Sequence, residues 1–342
     1  MIKVSVIGAT GYTGIELLRL LRQHKEVEVK KLVSRSNPGK RLKDIYPQFP
    51  DDNNLLSKYN IEELKESDLV FTALPHGVSQ DYVSELYNNE IRVIDFSGDY
   101  RYRDVSIYEN WYGIEHKYPE IAREAVYGLV ELNREMLREA RLVANPGCYP
   151  TASLLGLLPL LKKGLLDEEF IVIDAKSGVS GAGKAVKEAF IFNEVASSIK
   201  AYGINSHRHT SEIEAVIADL FKKSIISFTP HLIPVKRGIL ATIYTKLREK
   251  IEIQDLIKIY KQFYPEGGFV KILTEGVPET KYVAGSNYCY LTLKIDKRTG
   301  RLVIISAIDN LLKGASGQAV QAMNVMFGLP EKTGLKGTAL FP

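Results

Sequence analysis

Apolar and polar residues along the chain fall into two regimes. Over roughly the first 150 residues, short apolar runs alternate with stretches of helical spacing. They predict strands at Ile2–Ile7, Val27–Val33, 69–74, 92–96 and 140–144, with helices at 15–23 and from Ser79 onward. Strand–helix alternation of this kind builds a parallel, doubly wound sheet, an α/β domain of Rossmann-like type. An apolar helix at 151–163, opened by Pro150, reads as the crossover out of that domain. Beyond residue 169 the runs at 170–175, 231–234, Ile239–Leu247, 288–295 and Arg301–Ile308 follow one another with few helices between them. That pattern predicts an α+β domain with a mostly antiparallel sheet. A last helix, 318–327, is expected to pack back on the first domain. The division expected is 1–148, completed by about 314–342, and 149–313.

The glycines give the first domain a chemistry. Gly8-Ala9-Thr10-Gly11-Tyr12-Thr13-Gly14 lies between a strand and a helix, the context in which a glycine turn cradles a dinucleotide pyrophosphate. The spacing is GxxGxxG, so a ligand-free glycine turn is the competing reading. The next strand ends in Ser34-Arg35-Ser36. An NAD enzyme usually carries an acid there for the ribose 2′-hydroxyl, whereas an arginine between hydroxyls suits the 2′-phosphate of NADP. Pro75-His76-Gly77 and Ser97-Gly98-Asp99-Tyr100-Arg101 follow later strands. His76 is expected to shape the cofactor loop and Arg101 to clamp a phosphate or carboxylate.

Asn145-Pro146-Gly147-Cys148-Tyr149-Pro150-Thr151 places one of two cysteines at a helix start. Free N–H groups and the positive end of the helix dipole favour a thiolate there and can hold an oxyanion. The plainer alternative is a buried structural thiol. Ser177-Gly178-Val179-Ser180-Gly181-Ala182-Gly183-Lys184 reads as a backbone loop wrapping a ligand. Asn205-Ser206-His207-Arg208-His209-Thr210-Ser211 offers two histidines before a helix. A third ligand at metal-binding spacing is not evident, so proton transfer for the thiol suits them better. Cations that could meet an anionic substrate are Arg101, Lys184, Arg208 and Arg237.

Composition narrows the field without choosing within it. The 342 residues are 45% hydrophobic and 25% charged, with a net charge of +4 and no basic run of the sort that binds nucleic acid. No apolar stretch reaches membrane-spanning length, and two distant cysteines do not make a disulfide framework. A cytoplasmic location is expected.

Taken together, the glycine loop, Leu74-Pro75-His76-Gly77, Asn145–Thr151, Ser177–Lys184, His207-Arg208-His209-Thr210 and Asn310-Leu311-Leu312-Lys313-Gly314-Ala315 resemble the N-acetyl-γ-glutamyl-phosphate reductases, within the aspartate-semialdehyde-dehydrogenase-like group. One departure is Ser211, where that family usually has proline. The resemblance covers essentially the whole chain. It implies attack by Cys148 on an acyl phosphate, release of phosphate, and reduction of the thioester by NADPH to an aldehyde. By the same resemblance Ser177, Gly178, Gly181 and Asn310 lie on the cofactor side, and Asn145 on the substrate side. His209 is favoured as the proton carrier, with His207 toward the substrate. A paralogue acting on a carrier-protein-linked aminoadipyl or glutamyl phosphate would keep the same motifs. Association through the second domain, as a homodimer or homotetramer, is also implied.

Overall fold

The computed structural model describes residues 1–184, 188 and 191–340. The chain divides into two compact units, Met1–Pro146 with Ser316–Leu335, and Gly147–Ala315 with the segment from Lys336 onward. Gly147 and Cys148 therefore lie at the start of the second unit, whereas the sequence pattern puts the boundary just after Cys148. The C-terminal segment is shared, with 314–315 and 336–340 belonging to the second unit. Local contacts explain this split: Gly314 lies against Cys148, and Leu340 donates its N–H to the Ala284 carbonyl at 2.8 Å.

In the first unit the strands are β1 (Ile2–Ile7), β2 (Val27–Val33), β3 (Leu56–Ser57), β4 (Leu69–Thr72), β5 (Arg92–Asp95), β6 (Val126–Tyr127) and β7 (Leu142–Ala144). They pair in the order β3-β2-β1-β4-β5-β7-β6, all parallel. Strand order reverses between β1 and β4, so a crevice opens at their carboxyl ends, where such sheets take ligands. β3 and β6 are two residues each, too short to leave a periodic trace in the sequence. Val4, Val6, Val70, Phe71, Val93 and Ile94 are wholly buried in this sheet. Each contributes about 1.5–3 kcal/mol of burial. The closing helix Gly317–Met326 is buried along its whole length. It tolerates polar residues there because they are paired. Asn324 donates to the carbonyls of Glu331 and Thr333 and accepts from the His24 ring at 2.9 Å.

The second unit holds β8 (Leu166–Gly178), β9 (Lys200–Ala201), β10 (Ser227–Ile233), β11 (Ile239–Leu247), β12 (Val270–Ile272), β13 (Cys289–Asp296) and β14 (Arg301–Ile308). Their order is β12-β13-β14-β11-β8-β10-β9. The sheet is mixed: β8 with β10 and β12 with β13 run parallel, and the remaining pairings are antiparallel. Between β8 and β10 the chain returns through the helix His209–Leu220, which is what makes that pair parallel.

The apolar helix Cys148–Lys162 packs on one face of this sheet, with Leu154, Leu155, Leu157, Leu158 and Leu160 fully buried. It begins three residues earlier than the sequence pattern suggests. Pro150 occupies its third position, which needs an N–H no more than the first does. Pro159 sits inside the helix, where it cannot bond the Leu155 carbonyl. The Tyr264 hydroxyl takes over that carbonyl at 2.5 Å, and Tyr260 reaches the next one, Gly156, at 2.5 Å.

Candidate active site

The nucleophile turn is built by a short approach. Gly147 is the N-cap of the Cys148 helix, and Thr151 returns its N–H to the Gly147 carbonyl at 2.9 Å. Cys148 is thus the first helical residue, among N–H groups without intrahelical partners. No acid stands in that first turn. A side chain on residue 147 would lie 2.5 Å from Nε2 of His209 and 2.9 Å from Oε2 of Glu212. Only glycine leaves both groups room beside the cysteine.

His209 is the first residue of the helix His209–Leu220, and Glu212 follows one turn on, on the same face. Glu212 is buried at 1% exposure and accepts the Gly147 N–H at 2.8 Å. The motifs in the sequence do not single it out, although a carboxylate three residues after a histidine at a helix start is a usable signal. The Ser211 hydroxyl bonds the Arg208 carbonyl at 2.8 Å and does not cap the helix, whose N-cap is Arg208.

His207 stands in the preceding turn among aromatic rings, with Tyr149, Tyr202 and Phe228 at 5.5–5.7 Å and His209 at 4.8 Å between centroids. Its Nδ1 accepts the His209 N–H at 3.2 Å. Burial, then the Arg208 charge, lowers its pKa to about 4, so the ring is neutral near pH 7. The Tyr149 hydroxyl, beside the nucleophile, meets that of Tyr202 at 3.1 Å.

Three loops of the second unit meet at Asn310. Its amide donates to the Ser180 hydroxyl at 2.9 Å and accepts the Gly238 N–H at 2.8 Å. Asn310 therefore brackets the loop after β8 against the loop before β11. Ser177 is buried and bonds the Gly178 carbonyl, and Gly178 and Gly181 belong to the same bracketed loop. Arg237 lies 3.6 Å from the buried Asp309 carboxylate and keeps 31% of its side chain exposed. Lys184 and Arg208 are exposed.

In the first unit the glycine turn follows β1 at the crevice. Gly8 has φ +86°, and a Cβ there would lie 2.2 Å from the Ala73 carbonyl oxygen. Gly11 caps the helix Tyr12–Leu21, whose first turn carries no acid and so suits a phosphate. Thr10 and Ser34 meet at 3.2 Å, side chain to side chain, while Arg35 and Ser36 are exposed just beyond β2. Tyr12 is 39% exposed, and the Thr13 carbonyl accepts the Ser316 hydroxyl at 2.9 Å.

The loop after β4 is stitched to the loop after β5. Gly98 donates to His76 Nδ1 at 2.7 Å, and Gly77 donates to both Asp99 oxygens at 2.9 Å. His76 thus organises the Pro75–Gly77 loop. Asp99 and the fully buried Asp95 share this corner, and Asp95 accepts three hydroxyls, from Thr72, Ser79 and Ser97. Burial, then the Asp95 charge, raises the Asp99 pKa to about 6. Arg101 donates to the carbonyls of Asn145 at 2.9 Å and Phe96 at 2.8 Å. It steadies the strand end leading to the cysteine turn, and Asn145 itself is buried.

Comparison with known proteins agrees with this layout. Residues 3–140 match the family model described as semialdehyde dehydrogenase, NAD binding domain, and residues 148–310 match semialdehyde dehydrogenase, dimerisation domain. In fold, the chain is similar to aspartate semialdehyde dehydrogenase II of Vibrio cholerae, at a TM-score of 0.72 and 17% identity, covering 96% of this chain and 98% of that one. It is similar too to the NADP-bound aspartate semialdehyde dehydrogenase of Candida albicans, at TM-score 0.71 and 15% identity, covering 96% and 98%. These matches define an oxidoreductase of the semialdehyde dehydrogenase class. Closer relatives narrow it. A protein of Halothermothrix orenii named N-acetyl-gamma-glutamyl-phosphate reductase is 59% identical over 100% of both chains. Its namesake in Caldicellulosiruptor saccharolyticus is 52% identical over 98% of each. The chain belongs to the N-acetyl-gamma-glutamyl-phosphate reductase family.

Proposed function

We propose that the protein reduces N-acetyl-γ-glutamyl phosphate to N-acetylglutamate semialdehyde, releasing phosphate, in arginine biosynthesis. Membership of the family supports the substrate. The observation carrying the chemistry is the meeting of His209 Nε2 and Glu212 at Gly147, the residue capping the Cys148 helix.

His209 takes the thiol proton, and the Cys148 thiolate attacks the acyl carbon. The bond between the acyl carbon and the bridging oxygen breaks, phosphate leaves with that oxygen, and a thioester on Cys148 remains. NADPH, when bound, would supply the hydride that reduces the thioester carbon. N–H groups of the cysteine turn face the oxyanion, and protonated His209 returns its proton to that oxygen. The hydroxyl then gives that proton back to His209 as the C–S bond breaks, and the aldehyde leaves with the thiolate restored. Glu212 holds the Gly147 N–H and keeps the turn in register with the His209 ring. His207, neutral and ringed by aromatics, accepts the His209 N–H and sets the start of that helix.

The first unit's residues fit the cofactor. Gly8, Thr10, Gly11, Tyr12, Thr13 and Gly14 would hold the pyrophosphate at the helix N-terminus, and Ser34, Arg35 and Ser36 would receive the 2′-phosphate. Assembly through the second unit goes with this reading. The sheet face away from the Cys148 helix carries partly buried Val172, Leu240, Val303 and Ile305 and the 37%-exposed Tyr244, a surface suited to a second copy. Among the described residues no helix is long and apolar enough to cross a membrane. The biosynthetic role of the relatives supports a cytoplasmic location. Phosphate-dependent reduction of NADP+ by N-acetylglutamate semialdehyde tests the activity. Its absence would remove the assignment.

A further inference from the structure

The turn following β14 contains a carboxylate that the reaction above does not use. Asp309 is fully buried. Its Oδ1 accepts the N–H groups of Leu311 at 2.8 Å and Leu312 at 3.1 Å. Its Oδ2 accepts the Gly285 N–H at 2.7 Å and lies 3.6 Å from Nη1 of Arg237. Its main-chain carbonyl accepts the N–H of Gly314 at 2.9 Å. Gly314, in turn, is in contact with Cys148: a side-chain carbon there would lie 2.8 Å from the cysteine Cβ.

One residue therefore touches both a half-exposed cation and the turn that backs the nucleophile. Capping a turn needs only a neutral oxygen, which asparagine or serine supplies. A buried negative charge is expensive unless a cation answers it. A cation that answers it here, Arg237, is carried by the loop between β10 and β11, which Asn310, the next residue after Asp309, also fastens through Gly238. An arginine held at one edge by a buried carboxylate loses less rotamer freedom when it meets an anion.

We propose that Asp309 is a positioning residue for the reaction: it fixes the Arg237 guanidinium for an anionic group of the substrate while holding Gly314 behind Cys148. The inference rests on the reductase reading, in which the substrate carries both a phosphate and a carboxylate.

The reverse reaction of N-acetylglutamate semialdehyde, phosphate and NADP+ tests it through a cycle of variants. Arg237→Ala should raise KM for phosphate or for the aldehyde tenfold or more. Asp309→Asn, which keeps an oxygen for the N–H groups of Leu311 and Leu312 and turns an uncharged amide toward Gly285 and Arg237, should raise the same KM by a similar factor and leave KM for NADP+ unchanged. The double variant should be no worse than Arg237→Ala alone. Added guanidinium should restore Arg237→Ala saturably, because the ion can fill the place beside Asp309, and should fail in the double variant. An unchanged KM in Asp309→Asn, or effects that multiply, would overturn the proposal and leave Asp309 a turn cap. Should Asp309→Asn not fold, the guanidinium experiment on Arg237→Ala decides alone: saturable rescue supports the pairing and none refutes it. A lack of turnover in the unmodified protein would instead count against the reductase reading, and so is a separate outcome.

Discussion

Gly314 and Cys148 are in direct contact, with room for no atom between them. A methyl group on Gly314 would lie 2.8 Å from the cysteine Cβ and 3.2 Å from its Cα. Gly314→Ala should therefore push the nucleophile from its place, since forcing a methyl into filled space costs about 1–3 kcal/mol. We expect kcat to fall at least tenfold. Gly267→Ala, at a glycine with open space around it, should leave kcat unchanged. Full turnover by Gly314→Ala would show that the contact yields easily.

The two histidines should separate in kinetics. His209→Asn should lose mainly kcat, by about 10²–10⁴ for a lost proton carrier. His207→Asn should act mainly on KM. Glu212→Gln keeps an oxygen for the Gly147 N–H and removes the charge, so kcat should fall while KM for NADP+ holds. If His207→Asn lost kcat and His209→Asn kept it, the roles would be reversed.

Two buried groups should act oppositely on stability as pH changes. The His207 pKa is lowered from 6.5 to about 4, so its share of stability is present above 6.5 and lost as pH falls through about 4. The Asp99 pKa is raised from 3.8 to about 6, so its share is present below 3.8 and lost as pH rises through about 6. Thermal melts from pH 4 to 7 should show His207→Phe losing less stability on acidification than the unmodified protein. Asp99→Asn should lose less on going from pH 4 to 7. Parallel pH profiles for all three proteins would contradict both assignments.

Motifs that use local backbone chemistry are legible in the sequence itself. The glycine turn, the cysteine turn and the strand Arg301–Ile308 lie where the residues put them. Groups that work through tertiary approach are not. Asp309 looks like an ordinary surface acid in the sequence and Glu212 carries only its spacing from His209, and folding brings one to Arg237 and the other to Gly147. Asn310 reads as a ligand contact from its motif, and its bonds to Ser180 and Gly238 come into view only in the fold. The parallel pairing of β8 with β10 escapes the sequence pattern because periodicity marks strands without giving their direction. The start of the Cys148 helix is misplaced by the pattern because proline is allowed at any of the first positions.

Cofactor choice should depend on Arg35. The unmodified protein should use NADPH with much higher kcat/KM than NADH. Arg35→Ala should narrow the gap by roughly ten- to hundredfold, the loss of one charged contact of about 1.5–3 kcal/mol. Equal use of both cofactors by the unmodified protein would refute the role given to Ser34-Arg35-Ser36.

The central claim is a thioester on Cys148, and a burst experiment addresses it directly. The protein is mixed with N-acetylglutamate semialdehyde and NADP+ without phosphate, and NADPH is followed by absorbance while the protein mass is measured. The account predicts a burst of about one NADPH per active site, an acyl adduct mapped to Cys148, and continued turnover only once phosphate is added. Cys148→Ser should bind NADPH and show neither burst nor adduct. Turnover that proceeds without any adduct on Cys148, or a burst that survives in Cys148→Ser, would contradict it.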